Sequence, residues 1–305
     1  MQSPPPIRIG TRQSRLALTQ AEILCAALTA AYPGQAFEII PMITSGDRNT
    51  DRSLADIGGK GLFTKELEEC LLKGTVDLAV HSLKDMETHL PKGLLIAAVL
   101  PRDDPRDALI SREGKSLASL PPGARVGTSS LRRTAQLLIA RPDLTIVPLR
   151  GNVTTRLAKL KNGEVDATLL ALAGLKRLHM EKEATEILST DCFIPAAGQG
   201  TIAVECREDN ASLRTMLAAI DHAPTHHASL AERSLLSVVD GSCRTPIGAY
   251  ARIEQDRLQI HAMIASPDGK THISAHREGN VADAVSLGAT AGQDLLAQGG
   301  KDWFK

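Results

Sequence analysis

Aromatic side chains are scarce in this 305-residue chain: Phe, Tyr and Trp together make up 2% of it. Proteins that hold single-stranded nucleic acid stack bases on aromatic platforms, so the shortage speaks against that class. Neither charge is in surplus, because 35 Lys and Arg balance 35 Asp and Glu. A phosphate-tracking or membrane-surface protein needs a basic excess, so neither a nucleic-acid nor a membrane partner is expected. No apolar run reaches the length of a bilayer-spanning helix. The opening Met1-Gln2-Ser3-Pro4-Pro5-Pro6 has neither the basic nor the apolar part of a secretory signal. The five Cys are irregularly spaced, with no Cys-x-x-Cys. That argues against a disulfide framework or zinc knuckle and for a reducing, cytoplasmic setting.

What the chain does contain is a repeat. Arg8-Ile9-Gly10-Thr11-Arg12-Gln13-Ser14-Arg15 returns as Arg125-Val126-Gly127-Thr128-Ser129-Ser130-Leu131-Arg132. Gly74-Thr75-Val76-Asp77-Leu78-Ala79-Val80 returns as Gly163-Glu164-Val165-Asp166-Ala167-Thr168-Leu169. The shared order predicts two related α/β domains. Each copy of the first pattern reads as a strand entering a helix through a turn of Gly, Thr, Ser and Arg, where α/β proteins hold anions. Ser14 caps a helix with Leu18, Ala21, Cys25 and Leu28 at helical spacing. Strands are expected over 7–9, 37–43, 78–81 and 94–100, with a helix over 62–73. The polar stretch 44–60 is too long for an ordinary connection and so is a candidate for function. The second half repeats the scheme, with strands from Arg125, Thr145 and Ala167 and helices from Ser130 and Val153. Residues 201–206 read as a strand crossing back to the first domain. From Pro224 the pattern changes to a helix, three strands, a hairpin turn at Ser266-Pro267-Asp268-Gly269 and a last helix over 281–298. The expected fold is α/β: residues 1–100 with 201–218 as domain 1, 101–200 as domain 2, and a smaller α+β domain 3 over 219–305.

The arginines cluster at helix starts. Arg132 and Arg133 fall in a first helical turn, where a positive charge costs about a few tenths of a kcal/mol unless an anion sits there. Arg12 and Arg15 straddle a second start. Arg150 and Arg156 flank a third, where Asn152 can cap. Arginine holds carboxylates through paired hydrogen bonds, so a set of such turns suits a ligand rich in carboxylates. The repeat also supplies an internal control. Ala79-Val80-His81-Ser82-Leu83-Lys84-Asp85 aligns with Thr168-Leu169-Leu170-Ala171-Leu172-Ala173-Gly174. The second copy is small and apolar, whereas the first ends its strand on His81, Ser82, Lys84 and Asp85. A carboxylate beside an ammonium can manage developing charge and proton transfer. Cys25 and Cys70 fall on apolar helical faces. Cys243 instead sits in the aperiodic loop Asp240-Gly241-Ser242-Cys243-Arg244-Thr245-Pro246-Ile247-Gly248, and Arg244 favours its thiolate. It is a candidate nucleophile or attachment point.

Some motifs fail. Gly198-Gln199-Gly200 leads into a strand rather than a helix, so it is no dinucleotide fingerprint. Gly58-Gly59-Lys60-Gly61 lacks the first Gly and the final Ser or Thr of a P-loop. His222 and His226 have no third ligand in view, and no metal is expected. Two function classes remain: a transferase, or a two-lobed carboxylate-binding receptor or sensor domain without catalysis. The second explains the arginines and the duplication but neither Cys243 nor the polar set at 81–85.

Together these residues resemble the porphobilinogen deaminase (hydroxymethylbilane synthase) family over nearly the whole chain. The marks are Gly10-Thr11-Arg12-Gln13-Ser14, Gly58-Gly59-Lys60-Gly61-Leu62-Phe63, His81-Ser82-Leu83-Lys84-Asp85, Gly127-Thr128-Ser129-Ser130-Leu131-Arg132-Arg133, Leu149-Arg150-Gly151-Asn152, Ala197-Gly198-Gln199-Gly200, and Cys243 with Pro246-Ile247-Gly248. The resemblance implies two domains like those of periplasmic binding proteins, plus a third carrying the cofactor. It implies a monomeric enzyme that joins four porphobilinogen units head to tail, releases ammonia at each step and yields hydroxymethylbilane. It further implies a dipyrromethane primer on Cys243 through a thioether, with Asp85 as the catalytic carboxylate. Lys84, Asp85, Thr128, Ser129, Ser130, Arg132, Arg133, Arg150 and Gly151 match positions around the cofactor. Arg12, Ser14, Lys60, Phe63, Arg150, Arg156, Arg177 and Gln199 match positions around the substrate, Lys60 and Phe63 in a loop that covers the site. Asp56, Glu87 and Ser242 depart from the family, where Lys, Pro and Gly respectively occur in other members.

Overall fold

The computed structural model describes residues 5–48, 61, 63–241 and 245–299. They divide into two compact units. The first takes the described residues up to Asp103 together with Thr201–His226, and the second takes Asp104–Gly200 with those from His227 onward.

In the first unit, β1 (Ile7–Arg12) leads into α1 (Arg15–Ala31), whose first turn is capped by the Ser14 hydroxyl accepting from the Ala17 N–H at 3.3 Å. There follow β2 (Phe37–Met42), the short α2 (Ser45–Arg48), α3 (Lys65–Leu72), β3 (Leu78–Ser82), a 3₁₀ turn over Leu83–Asp85, and β4 (Leu94–Val99). The rest of the 44–60 stretch lies outside the described residues. The second unit opens with β5 (Asp107–Ser111), β6 (Arg125–Gly127), α4 (Leu131–Ala140), β7 (Thr145–Val147), α5 (Val153–Lys161), β8 (Ala167–Ala171), α6 (Leu172–Arg177) and β9 (Glu186–Ile187). The chain then returns as β10 (Ile202–Arg207) and α7 (Ala211–Ala218). It closes with α8 (Ala223–Val238), β11 (Ile247–Glu254), β12 (Arg257–Ala265), β13 (His272–Asn280) and α9 (Ala284–Ala297). Strand β5 and helix α7 have no counterpart in the sequence reading.

The strand order is β2-β1-β3-β10-β4 in the first sheet and β7-β6-β8-β5-β9 in the second. The repeat is therefore spatial as well as sequential. Ile9 and Gly10 of β1 pair with Leu78 and Ala79 of β3, just as Val126 and Gly127 of β6 pair with Ala167 and Thr168 of β8. Beside β3 runs β10, antiparallel, and beside β8 runs β5, also antiparallel. The slot that β5 fills from its own half is filled in the first sheet by a strand from much later in the chain.

The repeated letters also mark a clamp. The Arg8 N–H donates to the Asp77 carboxylate at 2.9 Å, and the Arg8 guanidinium reaches the Gly74 carbonyl at 2.8 Å. In the second unit the Arg125 N–H meets Asp166 at 2.8 Å, and its guanidinium meets the Gly163 carbonyl at 2.8 Å. Each clamp ties the start of one parallel strand to the turn before its neighbour and so sets the register.

Side chains alternate across the sheets as strand geometry demands. Leu78 and Val80 pack with Ala21, Leu24 and Leu28 of α1 and Leu213 and Leu217 of α7, while Ala79 packs with Leu67 and Leu71 of α3. In the second sheet Val126 and Leu169 pack with Leu137, and Leu170 with Leu157 and Leu160. The sheet β11-β12-β13 has its own core, where Ile260 and Ala262 meet Ala231 and Leu235 of α8 and Ala291 and Leu295 of α9. Ala135, Ile194, Met263 and Ala265 form a further cluster that draws this sheet and α4 into one compact unit.

Candidate active site

In the first unit the polar set stands where β3 ends. Leu83 is 2% exposed and packs with Met86, Val99 and Ala203. Its N–H donates to the Thr201 carbonyl at 3.0 Å, and the Met86 N–H closes back on the Leu83 carbonyl at 3.1 Å. This apolar peg holds a short turn on which Lys84 is half-buried and Asp85 is exposed. The Asp85 carboxylate makes no hydrogen bond or ion pair with any described residue. One residue before the turn, the Ser82 hydroxyl accepts from the Gln20 amide at 2.9 Å. Behind it, His81 Nε2 and Glu205 Oε2 lie 3.0 Å apart.

Arg12 ends β1 at the same edge of the sheet, and its guanidinium lies 4.2 Å from the centre of the Phe63 ring. Ser14, matched to a substrate position, serves the described structure as the α1 cap. Lys60 lies outside the described residues. Glu87, at the position where other family members carry Pro, accepts from the Gly61 N–H at 2.7 Å. A carboxylate can make that link between the turn and residue 61, and a proline ring cannot.

In the second unit, Thr128, Ser129 and Ser130 form the turn between β6 and α4. Ser130 caps α4 by accepting from the Arg133 N–H at 3.4 Å, Thr128 Oγ1 accepts from the Ser130 N–H at 3.2 Å, and the Ser129 hydroxyl donates to the Leu149 carbonyl at 3.2 Å. Arg132 and Arg133 are both buried, and here the structure supplies the anion that their position calls for. Asp107, 0% exposed, takes Arg133 Nη2 at 2.6 Å on one oxygen and Arg132 Nη1 at 2.8 Å on the other. Arg132 Nη1 also reaches the Ile194 carbonyl at 2.7 Å and Arg133 Nη1 the Leu169 carbonyl at 2.9 Å. Burial lowers the Arg132 pKa, Asp107 opposes that, and the neighbouring Arg133 adds to it. Two guanidiniums on one carboxylate leave a net positive charge at the start of α4.

Around α5, Asn152 caps the helix by accepting from the Thr155 N–H at 2.8 Å, and Arg156 Nε donates to the Gly151 carbonyl at 2.8 Å. Gly151 has φ +117°, and a Cβ there would lie 2.7 Å from the Thr155 methyl, so the turn requires glycine. Arg150 is half-buried, and its Nη1 is buried without a hydrogen-bond partner among the described residues. Arg177 and Gln199 are drawn to the 198–200 turn. Arg177 Nη2 donates to the Gly200 carbonyl at 2.5 Å, and the fully buried Gln199 amide donates to the Pro105 carbonyl at 2.7 Å. Glu232, 0% exposed, fastens this turn by accepting from the Gly198 and Ala251 N–H groups at 2.5 and 2.7 Å.

Cys243 lies outside the described residues. On its flanks the Gly241 N–H donates to the Leu236 carbonyl at 2.9 Å and the Ile247 N–H to the Thr245 carbonyl at 2.8 Å. Burial pushes the Cys206 thiol up to about 11, away from the thiolate that attachment needs. His222 and His226 bond to Thr225 and Asp221 respectively.

Asp107, Glu205 and Glu232 were missed by sequence reading. Glu205 is a single acid inside an apolar run, a local break that the sequence did carry, whereas Asp107 follows the charged turn 102–106 and Glu232 adjoins Arg233. The unpartnered Arg150 nitrogen, the hydroxyls at the start of α4 and the net charge of the Arg132–Arg133–Asp107 group fit a bound group bearing several carboxylates.

Comparison with known proteins names such a group. Residues 7–215 match the family model "Porphobilinogen deaminase, dipyromethane cofactor binding domain", and residues 226–297 match "Porphobilinogen deaminase, C-terminal domain". The porphobilinogen deaminases of Nitrobacter winogradskyi and Nitrobacter hamburgensis are each 51% identical over 298 residues, covering 97% of this chain and 94% of theirs. Among solved structures, the alkanesulfonate-binding protein SsuA of Xanthomonas axonopodis pv. citri aligns at 16% identity and a TM-score of 0.39, over 77% of this chain and 75% of its own. On the two domain matches and the half-identical relatives, the chain belongs to the porphobilinogen deaminase family.

Proposed function

We propose that Asp85 is the catalytic carboxylate of this porphobilinogen deaminase and that Cys243 carries its dipyrromethane. The family's enzyme forms hydroxymethylbilane from porphobilinogen in tetrapyrrole biosynthesis. The observation that carries the reading is the Leu83–Asp85 turn: a pegged strand end presents an exposed carboxylate, while the repeat places Gly174 at the same point. A carboxylate held there stabilises positive charge as ammonia departs. Lys84 beside it holds a carboxylate of the cofactor.

Held on Cys243, dipyrromethane would supply the pyrrole carbon from which the chain grows. Its carboxylates are held by Thr128, Ser129, Ser130 and Arg150, with Gly151 letting the backbone approach. Arg132 and Arg133 contribute the charge left over from Asp107. Arg12, Ser14, Lys60, Phe63, Arg156, Arg177 and Gln199 form the substrate set. Arg12 stacked on Phe63 is a cation whose plane is already oriented. No helix of the described residues is long and apolar enough to cross a membrane. We read the protein as a cytoplasmic monomer, with its cofactor carried by the C-terminal domain, 219–305.

Intact mass of the purified protein tests the attachment. The parent carries a two-pyrrole adduct, whereas Cys243→Ser is folded, unmodified and inactive. An adduct surviving in Cys243→Ser would overturn the assignment.

A further inference from the structure

Three ionisable side chains are buried together in the first unit, and the reaction as read above uses none of them. His81 on β3 and Glu205 on β10 bond at 3.0 Å with side chains 3% and 0% exposed. Glu68 on α3, also buried, feels the pair electrostatically. Burial raises its carboxyl pKa, the Thr64 hydroxyl opposes that, Glu205 adds to it, His81 opposes it, and Glu87 adds a last push. Glu205 Oε1 and Glu68 Oε1 are both buried without a hydrogen-bond partner among the described residues. Buried carboxylates short of partners are costly, and a protein that keeps them departs from what its fold alone requires.

The second unit shows what the fold requires. Glu205 pairs with Ala79 and lies diagonally from His81, which pairs with Ala203. In the twin sheet Ile110 pairs with Thr168, and Leu170 pairs with Ala108. Ile110 and Leu170 therefore occupy the positions of Glu205 and His81, and the repeat spacing puts Leu157 at the position of Glu68. All three twins are apolar and at most 4% exposed. At these three positions the same strand pairing and helix packing are thus built from uncharged side chains.

The pair stands directly before the turn that presents Asp85. Leu83 holds that turn by apolar contact, which does not fix direction. A charge-assisted hydrogen bond does. We propose that His81 and Glu205 are positioning residues for the condensation: their buried bond fixes the end of β3 and so the placement of Asp85. The inference rests on the reading of Asp85 as the catalytic carboxylate.

The test gives the first unit the residues of the second. His81→Leu with Glu205→Ile replaces the pair by apolar groups the fold already accepts at the twin sites. The double variant is expected to keep a melting temperature at or above the parent's, keep its adduct mass and hold KM for porphobilinogen within about two-fold, while kcat falls by roughly ten-fold or more. The near-isosteric Glu205→Gln keeps a neutral hydrogen bond and is expected to fall by only a few-fold. A purely structural pair would not yield a stable protein with unchanged KM and low kcat. Parental kcat in the double variant, or loss of its native fold, would overturn the inference. Asp85→Asn run alongside separates the two claims. If it alone is inactive, only the positioning role fails; if it too turns over normally, the reading of Asp85 fails first.

Discussion

Asp85 and Asp107 are aspartates beside strand ends, and their surroundings give them opposite tasks. Asp85 is exposed on a pegged turn and meets no described residue, so its charge is available to a ligand. Asp107 is sealed between two guanidiniums, so its charge is spent inside the protein. Asp85→Asn should shift stability by no more than about 0.5 kcal/mol, as exposed substitutions do, while turnover drops by about two orders of magnitude. A thermal melt and a steady-state assay decide it, and near-parental turnover would make Asp85 a bystander. Arg133→Ala should instead lower the unfolding free energy by about 3–5 kcal/mol, because it leaves a buried carboxylate short of its partner. Urea denaturation reads that cost, and an unchanged midpoint would show Arg133 to be held for ligand alone. Asp85 could be picked out from the sequence because its twin is Gly174. Asp107 could not, because the carboxylate meets Arg132 and Arg133 only once β5 lies beside β8.

At the scale of elements, two caps were legible: Ser14 and Asn152 each accept the hydrogen bond their sequence position promises, and Ser130, read only as a helix start, is a third. The purpose of the repeated Arg and Asp was not, since the Arg8–Asp77 and Arg125–Asp166 clamps join residues far apart in the chain. Strand β5 escaped because every one of its residues is buried, Asp107 and Ser111 included, which erases the alternation that betrays a strand. The first clamp has a pH signature. Burial pushes the Asp77 carboxyl up, but the Arg8 hydrogen bonds and charge outweigh it, and the net pKa is lowered. Asp104 is lowered likewise, chiefly by its hydrogen bond from Arg106. A carboxylate whose folded pKa lies below its unfolded value stabilises above that unfolded value, about 3.9, and loses its contribution as pH falls through the folded one. Stability should therefore hold from neutrality to about pH 4 and decline below it. The decline should be shallower in Asp77→Asn. Urea midpoints across that range check this, and an unaltered acid limb in the variant would refute it.

At the scale of the whole molecule, two sheets of the same strand order are completed by different routes. The second takes β5 from its own stretch of chain; the first waits for β10. A fragment ending at Asp103 lacks β10, so β3 and β4 lose their shared neighbour and the fragment should aggregate or unfold without cooperativity. The Leu100 N–H bonds the Ile202 carbonyl at 3.0 Å, so a short linker can join residues 1–103 to 201–226. That fusion should regain a cooperative thermal transition by circular dichroism. Failure of the fusion would mean that the first unit cannot stand without the second. The same placement of β10 sets a clock on the ribosome. At about 5–20 residues per second, the stretch between Asp103 and Ile202 takes on the order of ten seconds to emerge. During that interval the nascent first unit waits with open strand edges while every strand of the β5–β9 sheet is made. Of the two five-stranded sheets, the one begun first is therefore the one completed last, and its need for chaperone cover falls within that delay.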